Sequence, residues 1–402
     1  MSSQVEIGVT ATEAWSGPAN RQAAQPAKTR VLLLTNTHDI GGMEEHVELL
    51  ARHLDRQRFE VFAICPEQPY LAPFLNSMAV EADHVAAIST DHRSGFKSRL
   101  SEAIRLYRQI RAWRIDVMHI HSGGFNGNVS ALAVARLAGI PRVVLTEHLA
   151  PDAPLTRPGR WIRNAVSWMV DGIVSVSGRN LEARRRHLYT PASRAFVVKN
   201  GIDLDDFPPI SYETRATLRA QHNIPVDAPV VGTVVRFEPY KGLAYLLDAM
   251  PAILAACPKA VLLMVGDGPL RAELEAHVAR LGLTENVRFV GFQNDPRPYM
   301  AIMDAFVLPV PWGSMSIALL EAMAMERAAV ITFGGEGEAI IHGESGFCAE
   351  PCNPQSIAEY VIPILRNPEL KQALGAAARK RVEEQFSMNR VAREVGAIYG
   401  RC

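Results

Sequence analysis

The sequence predicts an α/β protein of two doubly wound domains that face each other across a cleft. Three observations predict it. At 402 residues the chain is too long for one ordinary core, so two halves of similar size are expected. Short apolar, β-rich runs alternate with helical periods, the pattern of parallel strands covered on both faces. The alternation occurs twice, on either side of a stretch (201–229) with four prolines, several acids and no strand signal.

Taken in order, residues 1–28 are rich in Ala, Gln, Ser and Thr. They lack the basic start and apolar core of a secretory signal and read as a disordered tail. The first domain, 29–205, has strand candidates at 30–35, 60–65, 116–121, 142–148, 172–177 and 195–201. Between them, Phe96 to Trp113 repeats Leu100, Ile104, Tyr107 and Ile110 at helical spacing, which marks them as one apolar face. A linker over 206–228 leads to the second domain, 229–385, with candidates at 230–236, 260–268, 286–292, 305–311 and 328–333. Residues 386–402 follow the second domain.

Composition narrows the class. The chain is 48% hydrophobic and 21% charged, with 42 basic and 42 acidic residues, so no global charge recommends nucleic acid as a partner. The apolar run Ala260 to Val265 falls far short of the roughly 20 residues a membrane span needs. Five scattered cysteines with no C-x-x-C pair fit free thiols in a cytoplasmic protein.

In doubly wound sheets ligands lie beyond the carboxyl ends of the strands. Arg236 ends the strand candidate 230–236, and Lys241-Gly242 opens the next helix. Two cations and a helix N-terminus make an anion site, or else a pair of solvated surface charges. A second site of the same kind follows 305–311, where Gly313, Ser314 and Ser316 form a small loop before a helix over 317–325. Uncapped amides there can receive a phosphate. Glu321 stands on that helix among Leu319, Leu320, Ala322 and Met323, which points to a buried carboxylate with a partner. A vicinal diol such as a ribose suits its two acceptor oxygens, a solvent-facing Glu being the alternative. Gly41-Gly42 follow the first strand, where a ligand approach and a tight turn are equally served. The segment 265–270 holds G-x-G, but Arg271 stands where a dinucleotide fingerprint has its third glycine. His119, His121 and His148 sit at neighbouring strand ends. With no carboxylate at ligand spacing, they read as polar side chains lining the cleft ahead of a metal site.

The segments DIGGMEEHV, VVKNGIDLDDF, GTVVRFEPYKGLAYLLDA, LLMVGDGPLRAELE, NVRFVGF and LLEAMAMERAAVIT occur in the order typical of family 4 glycosyltransferases, which the chain resembles from about residue 30 to 390. The resemblance implies the GT-B fold, two Rossmann-like domains with the donor sugar nucleotide held mainly by the second and the last helix crossing back to the first. It implies transfer with retention, no metal requirement, and a hydroxyl acceptor in a polysaccharide, lipid-linked or natural-product substrate. By the same resemblance Arg236 and Lys241 match the diphosphate-binding pair, Glu321 the glutamate that grips the ribose, and Gly42 the glycine-rich loop. His148 matches a contact to the donor sugar, while Gly266 and Phe292 fall in loops framing the base. Gly41, Asp267, Ser316, Ile317 and Glu338 complete the expected donor set. The sequence departs from the family at Gly313, where the first glutamate of E-x7-E stands, and at Ser314, Met315 and Ser316, where glycine-aromatic-glycine is usual. That departure implies a donor with different hydroxyls, compensation by Glu336 or Glu338, or nucleotide binding without catalysis. A sugar-nucleotide 2-epimerase of the same fold is a further alternative.

Finally, residues 157–170 combine Arg157, Arg160 and Arg163 with Trp161, Ile162, Trp168 and Met169, and 184–186 add three arginines. The stretch reads either as a tryptophan stripe packed on the core under a solvated basic face, or as a surface for an anionic membrane.

Overall fold

The computed structural model describes residues 27–36, 41–88, 96–123, 129–149, 157–208, 210–311, 316–332 and 338–401. Residues 1–26 of the expected tail lie outside the described residues, as do Gly313, Ser314, Met315 and Glu336.

Seven parallel strands form the first sheet: β1 (Thr29–Thr35), β2 (Phe59–Cys65), β3 (His84–Ala87), β4 (Val117–Ser122), β5 (Arg142–Glu147), β6 (Gly172–Ser175) and β7 (Ala195–Val197). Their order is β3-β2-β1-β4-β5-β6-β7. Because successive side chains point to opposite faces, β1 feeds two apolar layers. Val31 and Leu33 pack with Val47 and Leu50, whereas Leu32 and Leu34 pack with Leu106, Ile110 and Leu132. Six parallel strands form the second sheet: β8 (Val230–Val234), β9 (Val261–Val265), β10 (Val287–Gly291), β11 (Ala305–Leu308), β12 (Ala328–Thr332) and β13 (Phe347–Ala349). Their order is β10-β9-β8-β11-β12-β13.

Two strands correct the reading from sequence. Neither β3 nor β13 is among the candidates, and both close an edge of their sheet. His84 is exposed, Val85 to Ala87 are half-buried, and β13 is three residues long, so neither leaves an apolar run to read. The helix Phe96–Trp113 forms, but its apolar face is corrected too: Leu106 and Ile110 are buried while Leu100, Ile104 and Tyr107 are exposed. Apolar residues occupy two adjacent stripes of this helix, and only one can meet β2 and β4.

Between the sheets lies the helix Tyr212–Gln221, capped by Ser211, whose Oγ accepts from the Thr214 N–H at 3.1 Å. Phe207, Leu218 and Ile224 join the second domain's core. The chain returns after the helix Pro368–Gln385. Ile202 N–H donates to Phe386 O and Met388 N–H to Ile202 O, both at 2.9 Å. The helix Met388–Arg401 then buries Val391, Val395, Ile398 and Tyr399 in the first domain's core. Among the described residues Cys65, Cys257, Cys348 and Cys352 are free thiols.

Candidate active site

Strand order fixes where a ligand can sit. In the first sheet the winding reverses between β1 and β4, and in the second between β8 and β11. Reversal opens a crevice beyond the carboxyl ends of those strands. Arg236, Lys241, Glu321 and Gly42 follow one of these four strands, His119 and His121 lie within β4, and His148 follows the adjacent β5.

In the second domain β8 ends at Val234, and Arg236 follows two residues later, half-exposed and 3.2 Å from Glu238 Oε1 through its Nη2. The chain stays pinned to the neighbouring strand exits. Phe237 N–H donates to Asp267 O at 2.9 Å, and Gly266 N–H donates to Gly291 O at 2.9 Å. Gly266 has φ +129°, and a Cβ there would fall 2.0 Å from Val235 O, so only glycine fits. Arg236, Asp267 and Phe292 thus emerge along one edge, Phe292 with 63% of its surface exposed.

Lys241 lies in the 3₁₀ turn Pro239–Lys241, its Nζ 4.8 Å from the Tyr240 ring centroid. Gly242 follows in the left-handed region, φ +67°, and starts the helix Leu243–Ala256. A Cβ on Gly242 would meet Pro309 O at 2.1 Å, which shows how closely the lysine turn is packed against the exit of β11. That exit leads to Ser316 and the helix Ile317–Ala324, whose Ser316 makes no side-chain cap. Across the cleft, Gly42 begins the helix Gly42–His53, with Gly41 N–H donating to Glu44 Oε2 at 2.8 Å. A Cβ on Gly42 would stand 3.2 Å from Ile317 Cγ1, so the two domains touch at these two helix starts.

Glu321 is buried, as its apolar neighbours foretold. Burial pushes its carboxyl up to about 7, with Asp295 adding to the rise and the Arg297 guanidinium opposing it. From the first domain Glu45 approaches, held well above the usual carboxylate range by burial and then by Glu321 itself. Neither Arg297 nor Glu45 was singled out from sequence, since neither stands at a strand end. Glu338 sits elsewhere in the interface. Its Oε1 accepts from Arg179 N–H at 3.0 Å, and its Oε2 is 3.8 Å from Lys199 Nζ, both on the first domain.

The histidines gather at the first domain's switch point. His119 is fully engaged, Nδ1 with Tyr399 Oη and Nε2 with Thr146 Oγ1, each at 2.7 Å. His121 Nδ1 lies 3.2 Å from His148 Nε2. His46, one turn into the helix Gly42–His53, meets His148 edge-on with ring centroids 5.0 Å apart. Burial is the leading cause that lowers all four, His46 to about 4 and His119 to about 3, so each is neutral at physiological pH. His46 went unread because it falls in the apolar phase of its helix.

The basic stretch divides. The helix Arg157–Trp168 leaves Trp161 78%, Trp168 65% and Ile162 53% exposed, which corrects the expectation of a core-facing tryptophan stripe. Among the described side chains of this helix, Val166 and Ser167 alone are buried. Arg184 leaves the basic surface altogether: it is buried against Glu147 and donates to Ser167 Oγ at 2.6 Å.

Two parallel doubly wound domains meeting at their switch points make a GT-B architecture. Residues 40–206 match the model of Glycosyltransferase Family 4, and residues 214–381 that of Glycosyl transferases group 1. An uncharacterised glycosyltransferase of Methanocaldococcus jannaschii is 32% identical over 52% of this chain, a span of 55% of that protein's own length. The UDP-Gal:α-D-GlcNAc-diphosphoundecaprenol α-1,3-galactosyltransferase of Escherichia coli is 25% identical over 74% of this chain and 78% of that one. In fold, the chain is similar to the Anabaena HepE protein crystallised with UDP, with TM-score 0.79, 19% identity, and cover of 93% of this chain and 100% of that one. The chain belongs to the family 4 glycosyltransferases.

Proposed function

We propose that this glycosyltransferase moves a hexose-type sugar, with retention, from a nucleotide-diphosphate sugar to a hydroxyl acceptor. The observation that carries this is the meeting of the two switch points, where Gly42 touches Ile317 and the lysine turn packs beneath the exit of β11. In that position the diphosphate is received by Arg236, Lys241 and the open amides of the helix Ile317–Ala324. Glu321 takes the ribose hydroxyls and Phe292 the base. His148, neutral and buried at the first domain's switch point, contacts the sugar. Charge that develops on the departing diphosphate is met by fixed protein cations, so no metal cofactor is called for. Support from relatives is in the same direction: the Anabaena protein was crystallised with UDP and with UDP-glucose, and the Escherichia coli enzyme is named for UDP-Gal.

Incubation with a panel of nucleotide sugars tests this. A binding donor at about 100 times its Kd is expected to add about 2.7 kcal/mol of stability, and the same donor should release nucleoside diphosphate. Stabilisation by a donor with no release from any of them would overturn transfer, and epimerised sugar nucleotide formed without acceptor would identify the epimerase. Glu321 supplies a pH signature. Because its carboxyl titrates at about 7 and the ribose hydroxyls need the ionised acceptor, nucleotide affinity should rise about tenfold from pH 6 to pH 8. Glu321→Gln should remove that rise; an unchanged profile in the variant refutes the ribose role.

The exposed face of Arg157–Trp168 supports a contact with an anionic membrane bearing a lipid-linked acceptor. Arg160, Trp161, Trp168, Arg185, Arg186 and Tyr189 line an open groove of 680 Å³, with Trp168 stacked on Tyr189 at 5.1 Å. Arginines near an anionic surface contribute about 1 kcal/mol each, and tryptophans add interfacial apolar contact. No described helix is long and apolar enough to cross a membrane. Co-sedimentation with anionic vesicles at low salt should be lost in Trp161→Ala/Trp168→Ala and weakened by salt. Failure of the unaltered protein to sediment at low salt rejects the contact.

A further inference from the structure

We infer that His46, His121 and His148 form a binding site for one divalent transition-metal ion of the zinc class. Three elements bring them together: the helix Gly42–His53, the end of β4 and the residue after β5. Each ring offers a nitrogen, and the three nitrogens lie within 4.8 Å of one another. Nitrogens around a four-coordinate zinc at 2.0–2.1 Å stand about 3.3 Å apart, so the rings reach that geometry by moving less than about an ångström each.

A second, independent observation points to a ligand. His46 Nδ1 and His121 Nε2 have no hydrogen-bond partner among the described residues, and these residues are 3% and 0% exposed. An orphaned polar nitrogen in the interior is costly, and a metal would satisfy it. His119 shows the contrast. It lies in the same cluster, its ring centroid 4.1 Å from that of His121, but both of its nitrogens are taken by Tyr399 and Thr146. The donor set is three neutral imidazoles without a carboxylate, which favours zinc, nickel, cobalt or copper over magnesium or calcium. An ion held here would occupy the imidazole proposed to touch the donor sugar, which makes it an inhibitor of transfer and not a cofactor.

The site is tested on the full chain, stripped with chelator and without nucleotide, so that its outcome is separate from that of the transfer reaction. Titration with Zn²⁺ is expected to show a single saturable site. His46→Gln and His121→Gln should each weaken it about tenfold or more, while His84→Gln, an exposed histidine on β3, should not. Cobalt gives a check on the unaltered protein. Visible d–d bands of a four-coordinate nitrogen site support the assignment, and a thiolate-to-cobalt charge-transfer band overturns it. Absence of saturable Zn²⁺ binding, or affinity in both histidine variants equal to that of the unaltered protein, also overturns it.

Discussion

Lys241→Ala and Arg236→Ala are each expected to lower turnover by about 10² to 10³, the loss seen when one fixed charge-stabilising group is removed from a transition state. In a displacement that expels a nucleoside diphosphate, negative charge grows on the bridging oxygen as the sugar departs. The turn Pro239–Lys241 is held rigid by Gly242 against Pro309, so the ammonium is in place before charge develops. Arg236 is held differently, paired with Glu238 at 3.2 Å on a half-exposed edge, and must exchange that partner for the diphosphate. The lysine is therefore expected to show the larger effect on kcat, and the arginine a larger share in KM. Nucleoside binding should change much less than turnover in both variants, because the proposed reading assigns ribose and base to Glu321 and Phe292. The double variant should fall short of the product of the single effects, since the two cations serve one leaving group. Steady-state release of nucleoside diphosphate measures all three; turnover within a few-fold of the unaltered enzyme in Lys241→Ala would remove the clamp from the mechanism.

What could be read beforehand follows from how each group announces itself. Central strands are buried on both faces, so β1, β4, β8 and β11 show as apolar runs, and the four exits that frame the cleft were visible with them. Edge strands β3 and β13 are short and covered less completely, so they left no run. Glu321 was legible because a carboxylate among Leu320 and Met323 contradicts its surroundings. His46 was not, since a histidine within an amphipathic helix contradicts nothing until β4 and β5 bring His121 and His148 against it. The tryptophans misled in the other direction. Aromatic residues at helical spacing usually mark a core face, and only the packing of Val166 and Ser167 shows that this helix turns Trp161 and Trp168 outward.

What orients that helix leads to the second large effect: Glu147→Ala is expected to destabilise the first domain by about 3–5 kcal/mol. Arg184 is 1% exposed and Glu147 5%, and the guanidinium donates to the carboxylate through Nη1 and to Ser167 Oγ through Nη2. Arg184 Nε has no partner among the described residues. Burial raises the Glu147 carboxyl more than Arg184 lowers it, so the pair is tolerated in the interior and owes its place to position more than to attraction. Removing the carboxylate alone strands a buried cation that one serine cannot satisfy. Removing both charges, as in Glu147→Leu/Arg184→Met, leaves no stranded charge and should recover most of the loss, giving a strongly non-additive double-mutant cycle. Urea unfolding followed by far-UV circular dichroism reads the loss, since the ion pair tethers the helix through Ser167. Because Glu147 also precedes His148, the single variant should loosen the histidine cluster, whereas the apolar double variant should restore it. A cost below about 1 kcal/mol for Glu147→Ala, or simple additivity in the cycle, would mean that the helix is held by Val166 packing alone and that the ion pair positions nothing.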